Sequence, residues 1–492
     1  VEWPITNLKL AEFGPYGKIA IATLRHLNQN GEVDEILKEA LLRADGLGAT
    51  LRDLLANVRL TPALALGDII YDISAEGWTS KPVTYFADPR DINLALIRTF
   101  ERRPAAVQCG PVHPNVAPQV VATDFVSTLS ALQTRLVTAP IAEVDEDEES
   151  RSWRHFHSIF DQMMAMSGVE AKVMSYRETI DSMPWSGAQK RQARLLIPEI
   201  DGCEEKWLTE SHLRVVQAFS KRENLGNKAT IDPRLIQGFL LGYSIITARV
   251  VKSVYKALKP VFGNPDCPIV IGSMMTAEAR GRWHKRQIEN GYQIQSLDGS
   301  AYDSTTRRVG QANVARVCAS VLGFAPVGLA VVEATYDEVQ GVLVKHGYKY
   351  KLPRSNIEAG QSPELSGRAT TTLGNSLNRA REGLWYIATT DQVGAVMSSG
   401  DDLDLACPRA LSEQHIIASG RRLGRLEKLE PGCIFLRQRD YPVGGELIPG
   451  VMIGRILCRM GYISADVPRR RGSLCSAVML SAGWPLIRMS HL

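Results

Sequence analysis

Two adjacent carboxylates, Asp401 and Asp402, follow Gly400 in the middle of an otherwise largely apolar stretch, Val393 to Cys407. Asp is a poor strand residue, so two of them between strand-formers call for a reason. Gly400 supplies the backbone freedom of a tight hairpin turn. Carboxylates at its tip are oxygen ligands of the kind that hold hard divalent cations such as Mg2+. The competing reading is a solvated turn with nothing bound. Asp404, just beyond, reads as an ordinary strand-edge residue. Upstream, Gly291 to Asp298 alternates like a strand and ends in an acid, with Asp303 following in an Asp-x4-Asp spacing. Asp298 thus falls at the C-terminal end of a strand, where sites in sheet-based folds tend to lie. Asp303 has a rival role as the cap, with Ser304, of a helix running from Ser304 to Leu322.

A third polar feature is Ser366-Gly367, which closes a Gly/Ser/Pro loop and opens a helix from Arg368 to Tyr386. Thr371, Asn375 and Asn378 share one face of that helix. Thr and Asn are poor helix-surface residues by propensity, so the stripe reads as a hydrogen-bonding edge for something held against it. The fourth feature is basic. From Trp185 to Arg286 there are 17 Lys and Arg against 9 Asp and Glu, with clusters at Ser186-Gly187…Lys190-Arg191 and Lys221-Arg222…Lys228…Arg234. Bases on Pro- and Gly-bearing turns suit phosphate contacts. They also read as ordinary solvated charges.

These features need a scaffold, and the composition is that of a folded one. Of 492 residues, 45% are hydrophobic and 22% charged, which argues for a globular chain of about three domains rather than a disordered one. The net charge of +4 is too small to mark a nucleic-acid binder by itself. Eight scattered cysteines with no Cys-x-x-Cys argue against a zinc site or a disulfide framework and for a reducing compartment. His155 and His157 are spaced too poorly for a metal pair on a helix. No apolar run is long enough to span a bilayer, and there is no signal-peptide pattern. The opening Val in place of Met suggests a processed or trimmed chain. Residues 1–140 combine a helical pattern, Val33 to Leu55, with Pro-rich loops and no catalytic constellation. Glu143 to Glu149 reads as a solvated acidic loop or linker near a domain boundary. Further on, two short strands flank His346-Gly347, Leu411 to Leu423 reads as a helix and Cys433 to Arg439 as a strand.

In chain order, Asp298-x4-Asp303, Ser366-Gly367-x3-Thr371-x3-Asn375 and Gly400-Asp401-Asp402 closely resemble motifs A, B and C of the viral RNA-dependent RNA polymerases. The wording around Ser366 looks most like the tombusvirus-like polymerases of positive-strand RNA viruses. Lys221…Lys228…Pro233-Arg234 resembles motif F, Trp185-Ser-Gly-x-x-Lys-Arg191 motif G, and Cys433-Ile-Phe-Leu-Arg437 the motif E strand. The resemblance covers about residues 183 to 440. It implies an α+β right-hand fold of fingers, palm and thumb, with an antiparallel palm sheet packed on helices. Residues 1–150 would be an N-terminal region with a fingertips-type extension, and 151–290 the fingers. The palm would span 291–440 with a fingers insertion near 325–360, and 441–492 would form a small thumb.

The resemblance also implies roles. Asp298 and Asp401, with Asp402 in support, would bind two Mg2+ ions, with Mn2+ able to substitute; such a pair activates a 3′-hydroxyl and stabilises the triphosphate and leaving pyrophosphate. Lys428 would be the general acid for pyrophosphate, with Arg425 as the alternative. Asp303 and Asn375 would sense the ribose 2′-hydroxyl, assisted by Ser366, Gly367 and Thr371. Lys221, Arg222 and Arg234 would clamp the triphosphate. Ser186, Gly187, Lys190 and Arg191 would guide template RNA. The implied partners are template and nascent RNA, ribonucleoside triphosphates, and other viral replication or capsid proteins. The implied location is the host cytoplasm, in a replication complex or a virus particle. Two rivals stand beside this reading. A reverse transcriptase usually lacks the Ser-Gly-x3-Thr-x3-Asn helix and carries an aromatic residue before its paired aspartates. A non-catalytic RNA-binding replication protein would not need all three carboxylates.

Overall fold

Period-2 and period-3.6 apolar patterns converge on one five-stranded sheet sandwiched between helices. The computed structural model describes residues 144–209, 216–221, 223–224, 234–323, 362–430, 434–436 and 438–451, the strand segments 106–108, 120–121, 340–343, 349–351 and 462–464, and residues 128, 131–132 and 135. The helical pattern expected over Val33 to Leu55 lies outside them.

The described elements begin with strands β1 (Ala106–Gln108) and β2 (Val120–Val121), then helices α1 (Glu146–Ser167), α2 (Tyr176–Ser182), α3 (Gly187–Ile200) and α4 (Glu204–Thr209). Strands β3 (Val216–Ser220), β4 (Glu223–Asn224) and β5 (Leu235–Phe239) lead into α5 (Leu241–Phe262), β6 (Ile269–Ile271), α6 (Ala277–Glu289), β7 (Gln293–Gly299) and α7 (Arg308–Leu322). Next come β8 (Gln340–Leu343), β9 (Lys349–Lys351), α8 (Thr371–Ala388), β10 (Ala395–Ser399), β11 (Asp402–Cys407) and α9 (Glu413–Arg422). Strands β12 (Glu427–Glu430), β13 (Ile434–Phe435), β14 (Gln438–Val443), β15 (Glu446–Val451) and β16 (Tyr462–Ser464) complete the described elements.

The central sheet has the order β12-β7-β11-β10-β6. It is antiparallel except at one edge, where β6 pairs with β10 in parallel. Alternate residues of each strand serve opposite faces. On one face Leu297, Val396, Leu403 and Leu405 pack with Leu373, Leu377 and Leu384 of α8 and with aromatic residues of α1 and α5. Phe160 stacks between Phe156 and Phe262, at ring separations of 5.7 and 5.0 Å. On the other face Val270, Ala395, Met397 and Ala406 meet Ala279 and Trp283 of α6. Helices therefore cover both faces, and β10 is buried throughout. A smaller core joins α2, α3 and the start of α5 around Tyr176, Ile180, Ala193 and Tyr243.

Two further sheets flank this unit. Strands β8 and β9, from the expected insertion, extend the β3–β5 hairpin into a four-stranded sheet. Strands β13, β14 and β15 form an antiparallel sheet laid against α6. The N-terminal region reaches both ends of the fold. Strand β2 pairs with β4 while β1 pairs with β16, and the Thr128 hydroxyl accepts from the Ser220 amide (3.1 Å). Among the described residues no helix is long and apolar enough to cross a membrane.

Three local expectations are corrected. The acidic run is the first turn of α1, capped by Asp145, where carboxylates favour the helix dipole. Glu148 and Glu149 are buried there, paired with Arg422 (2.7 Å) and Arg307 (3.5 Å). The helix expected from Ser304 starts at Arg308, after a 3-10 turn over Tyr302–Thr305. The single strand expected over Cys433 to Arg439 is broken at Leu436, whose φ of +51° turns the chain between β13 and β14.

The seam between α6 and β15 has no spare room. A Cβ on Gly281 would stand 1.9 Å from the Leu447 carbonyl oxygen, and backbone cannot step aside as a side-chain end can. Gly281→Ala is expected to cost about 3 kcal/mol, at the upper end of overpacking penalties, in urea unfolding. Hydrogen exchange should rise first in β14 and β15.

Candidate active site

The hairpin reads true. Ser399 pairs with Asp402, so Gly400 and Asp401 alone form the turn, with Gly400 at φ +64°. Strand β11 then pairs with β7 so that Asp402 lies opposite Asp298, and β12 pairs with β7 so that Lys428 lies opposite Asp298 as well. Register partners share a face. Asp402, Asp298 and Lys428 therefore form one row across three strands, with Asp401 exposed at the tip beside them. Burial, then the charges of Asp401, Asp298 and Asp404, push the Asp402 carboxyl up to about 7, against the pull of Arg379. Crowded carboxylates of this kind are poised to accept a cation. Among the described residues no three Asp, Glu, His or Cys side chains are already gathered as a closed metal site. An open carboxylate row suits Mg2+, which keeps waters and takes phosphate oxygens alongside one or two carboxylates.

Asp303 is no helix cap; Arg307 occupies that position, without a side-chain cap bond. The Asp303 carboxylate instead accepts from the Ser366 hydroxyl and from Asn375 Nδ2 (2.6 Å). Burial raises its pKa, and those two bonds work against the rise, as does the charge of Arg135 from the N-terminal region, while Asp401 adds to it. Asn375 is 3% exposed, and with its amide donor spent on Asp303 its Oδ1 has no partner among the described residues. An orphan buried acceptor next to a carboxylate is a place for a hydroxyl. Thr371 does not reach Asp303; its hydroxyl donates to the Leu365 carbonyl (3.0 Å) and fixes the loop before α8.

The basic clusters are placed differently. Lys221 and Arg234 close the mouth of the β3–β5 hairpin, joined by a backbone bond of 2.8 Å. Arg222 lies outside the described residues. The hairpin docks on the Ser366-Gly367 loop, since the Gln237 amide donates to the Ser366 carbonyl (3.0 Å). A Cβ on Gly367 would stand 2.7 Å from the Gln237 carbonyl oxygen, and the φ of +143° also demands glycine. Ser186, Gly187, Lys190 and Arg191 begin α3. Ser186 caps it through a capping box with Gln189, and Lys190 Nζ donates to the Asp181 carbonyl (2.8 Å), so both contacts stay within α2, α3 and the turn between them. Lys428 is exposed, 3.3 Å from Glu430. Arg425, the alternative acid, is buried against Glu382 (2.7 Å) and Thr305 (2.9 Å), with its pKa driven up by Glu382 in spite of burial. It is a structural cation.

Sequence reasoning missed the charges behind the row. Arg379, Arg381, Glu382, Arg425 and Glu427 are all buried between α8 and β12, with Tyr302 donating to Glu382 (3.0 Å). The signal was present: Arg379, Glu382 and Tyr386 continue the stripe of Thr371 and Asn375 along α8.

No family model and no curated protein matches the chain. Among solved structures, the fold is similar to the crystal structure of the insertion loop deletion mutant of the RNA-dependent RNA polymerase of a human picobirnavirus. The TM-score is 0.52 at 14% identity, over 73% of this chain and 71% of that one. At that identity the likeness is one of fold alone.

Asp404 is not a strand-edge residue. It is fully buried, accepting from Ser296 (2.5 Å) and bonded to His284 Nε2 (2.7 Å), while His284 Nδ1 lies 2.5 Å from Asp440 on β14. Burial pulls the imidazole pKa down, but the hydrogen bonds and charges of Asp404 and Asp440 outweigh it and carry it to about 9. A folded pKa raised above the unfolded one stabilises the fold fully below about pH 6.5, and that contribution is lost as pH rises through about 9. Urea unfolding should show a stability decline on the order of 3 kcal/mol across that window. His284→Gln should remove this slope, and an unchanged slope would refute the assignment.

Proposed function

We propose that this chain is an RNA-directed RNA polymerase that copies a viral RNA genome from ribonucleoside triphosphates, releasing pyrophosphate. The observation that carries the reading is the convergence of three distant segments: Asp303 is held by Ser366 and Asn375 next to the row that sets Asp402 opposite Asp298. In this reading Asp298 and Asp401, with Asp402 in support, hold two divalent ions. When bound, these supply charge neutralisation for the triphosphate and activation of the attacking hydroxyl. Asn375 Oδ1 accepts the ribose 2′-hydroxyl while an Asp303 oxygen shares the same contact, so a sugar lacking that hydroxyl leaves buried polar groups unpaired. Lys221 and Arg234, on the hairpin that docks on the Ser366-Gly367 loop, meet the triphosphate, with Arg222 assigned to the same clamp from the sequence, and Ser186, Gly187, Lys190 and Arg191 guide the template. Lys428, in the row with Asp298, protonates the departing pyrophosphate.

The right-hand division follows. The central sheet with α6 and α8 would serve as the palm, which takes β6 and α6 out of the 151–290 segment expected as fingers, and the α2–α5 unit with the β3–β5–β8–β9 sheet as the fingers. Residues 441–492 are assigned to the thumb. The tombusvirus-like wording of the α8 loop is a finer affinity than the fold likeness addresses. The expected setting is a cytoplasmic replication complex or a virus particle, with RNA and other viral proteins as partners.

Template extension with four ribonucleotides and Mg2+ or Mn2+ tests the reading. Activity should fall by on the order of a thousandfold in Asp401→Ala. In Asn375→Ala the preference for ribo- over deoxynucleotides should shrink roughly 10- to 100-fold, the worth of a hydrogen bond to a charged or buried partner. Inactive wild-type protein, with Asp401→Ala indistinguishable in every assay, would leave a non-catalytic RNA-binding role. Equal use of deoxynucleotides by the wild type would defeat the sugar-sensing roles of Asp303 and Asn375.

A further inference from the structure

Arg379 stands one helical turn after Asn375 on α8 and is fully buried. Its Nε donates to the carbonyl of Asp401 (2.8 Å), and one terminal nitrogen lies 3.5 Å from the carbonyl of Leu297. The other terminal nitrogen bonds Glu427 (2.5 Å) and Glu382 (3.1 Å), and the guanidinium lies 5.0 Å from the Tyr302 ring centroid. The pattern of these contacts is informative. Asp401 is a site residue; Leu297 precedes Asp298, Glu427 precedes Lys428, and Tyr302 precedes Asp303. One side chain therefore touches the backbone or neighbour of every acidic segment in the site and of its lysine.

The two-residue turn explains the need. Asp401 sits in the turn itself, beyond the β10–β11 ladder, and Arg379 gives its carbonyl a fixed side-chain donor from the helix side. The planar fork of Arg reaches several acceptors at fixed angles, which a lysine ammonium cannot do. Charge holds the fork in place: Arg379 is paired with both Glu382 and Glu427, and Glu382 is shared with Arg381 and Arg425. We infer that Arg379 is a positioning residue that braces the Asp401 turn against β7 and β12, linking the helix that carries Asn375 to the carboxylates that face the metal.

What the turn binds rests on the polymerase reading; the brace itself does not. The experiment compares wild type, Arg379→Lys and Arg381→Lys. The last is a control, because Arg381 shares Glu382 and reaches Ser152 (3.0 Å) without touching the turn. Amide exchange over Gly400 to Leu403, Mn2+ affinity by electron paramagnetic resonance without RNA, and ribonucleotide incorporation are read on each. In Arg379→Lys, exchange in the turn should rise at least about 10-fold over that of Arg381→Lys, as expected when a local brace is lost. Mn2+ should bind roughly 10-fold more weakly, and kcat should fall more than KM rises, as for a misplaced reacting group. Equal turn exchange in the two variants overturns the inference. Should Arg379→Lys not fold, Glu427→Gln removes the anion that anchors the guanidinium, and the same rise in turn exchange is expected; its absence overturns the inference too. Wild-type protein that neither binds Mn2+ nor makes RNA would refute the polymerase reading, while turn exchange would still decide the role of Arg379.

Discussion

The pairing of β7 with β11 is the constraint from which the rest follows, because it sets two carboxylates opposite one another with a third at the adjacent turn. Left alone, such a row would separate or protonate; burial first, and then the neighbouring carboxylates, raise the pKa of Asp402. A one-residue slip would turn every side chain of β11 over, sending Asp402 into the leucine layer and Leu403 to the site. The register is held from both faces. Apolar packing of Leu403 and Leu405 against α8 secures one, and the ionic bond of Asp404 to α6 secures the other.

These two supports differ in kind. Packing is tolerant of direction, whereas a carboxylate seated on an imidazole and a serine hydroxyl fixes rotation as well as depth. The same division recurs behind the sheet, where α8 presents leucines on one stripe and a run of buried charges on another. Buried ion pairs are poor sources of net stability, since desolvation consumes most of their attraction. Their presence beneath the row is better understood as specification of geometry.

Much of the site was legible from residue type and spacing. A glycine before two acids, between apolar runs, left little but a tight hairpin, and the hairpin is there. The meeting of Asp303 with Ser366 and Asn375 could not be read from spacing alone, because some sixty residues and more of chain separate the partners. The family resemblance anticipated it, and the helix-cap reading lost to a tertiary contact. Asp404 was misjudged because alternation implies one solvated face, whereas α6 covers this strand's second face. The acidic run was misjudged because its cations, Arg307 and Arg422, come from far along the chain. In both of these misjudgements a buried carboxylate is met by a partner distant in the chain, and no local pattern carries that.

The pairing of β1 with β16 has a temporal consequence. Ala106–Gln108 must wait for Tyr462–Ser464, about 350 residues later in the chain, before its own edge is satisfied. At ribosomal speeds that is a delay of roughly half a minute. During it the growing chain carries an unpaired strand that can template the wrong neighbour. Closure is then a late event in biogenesis, made only once Tyr462–Ser464 has left the ribosome.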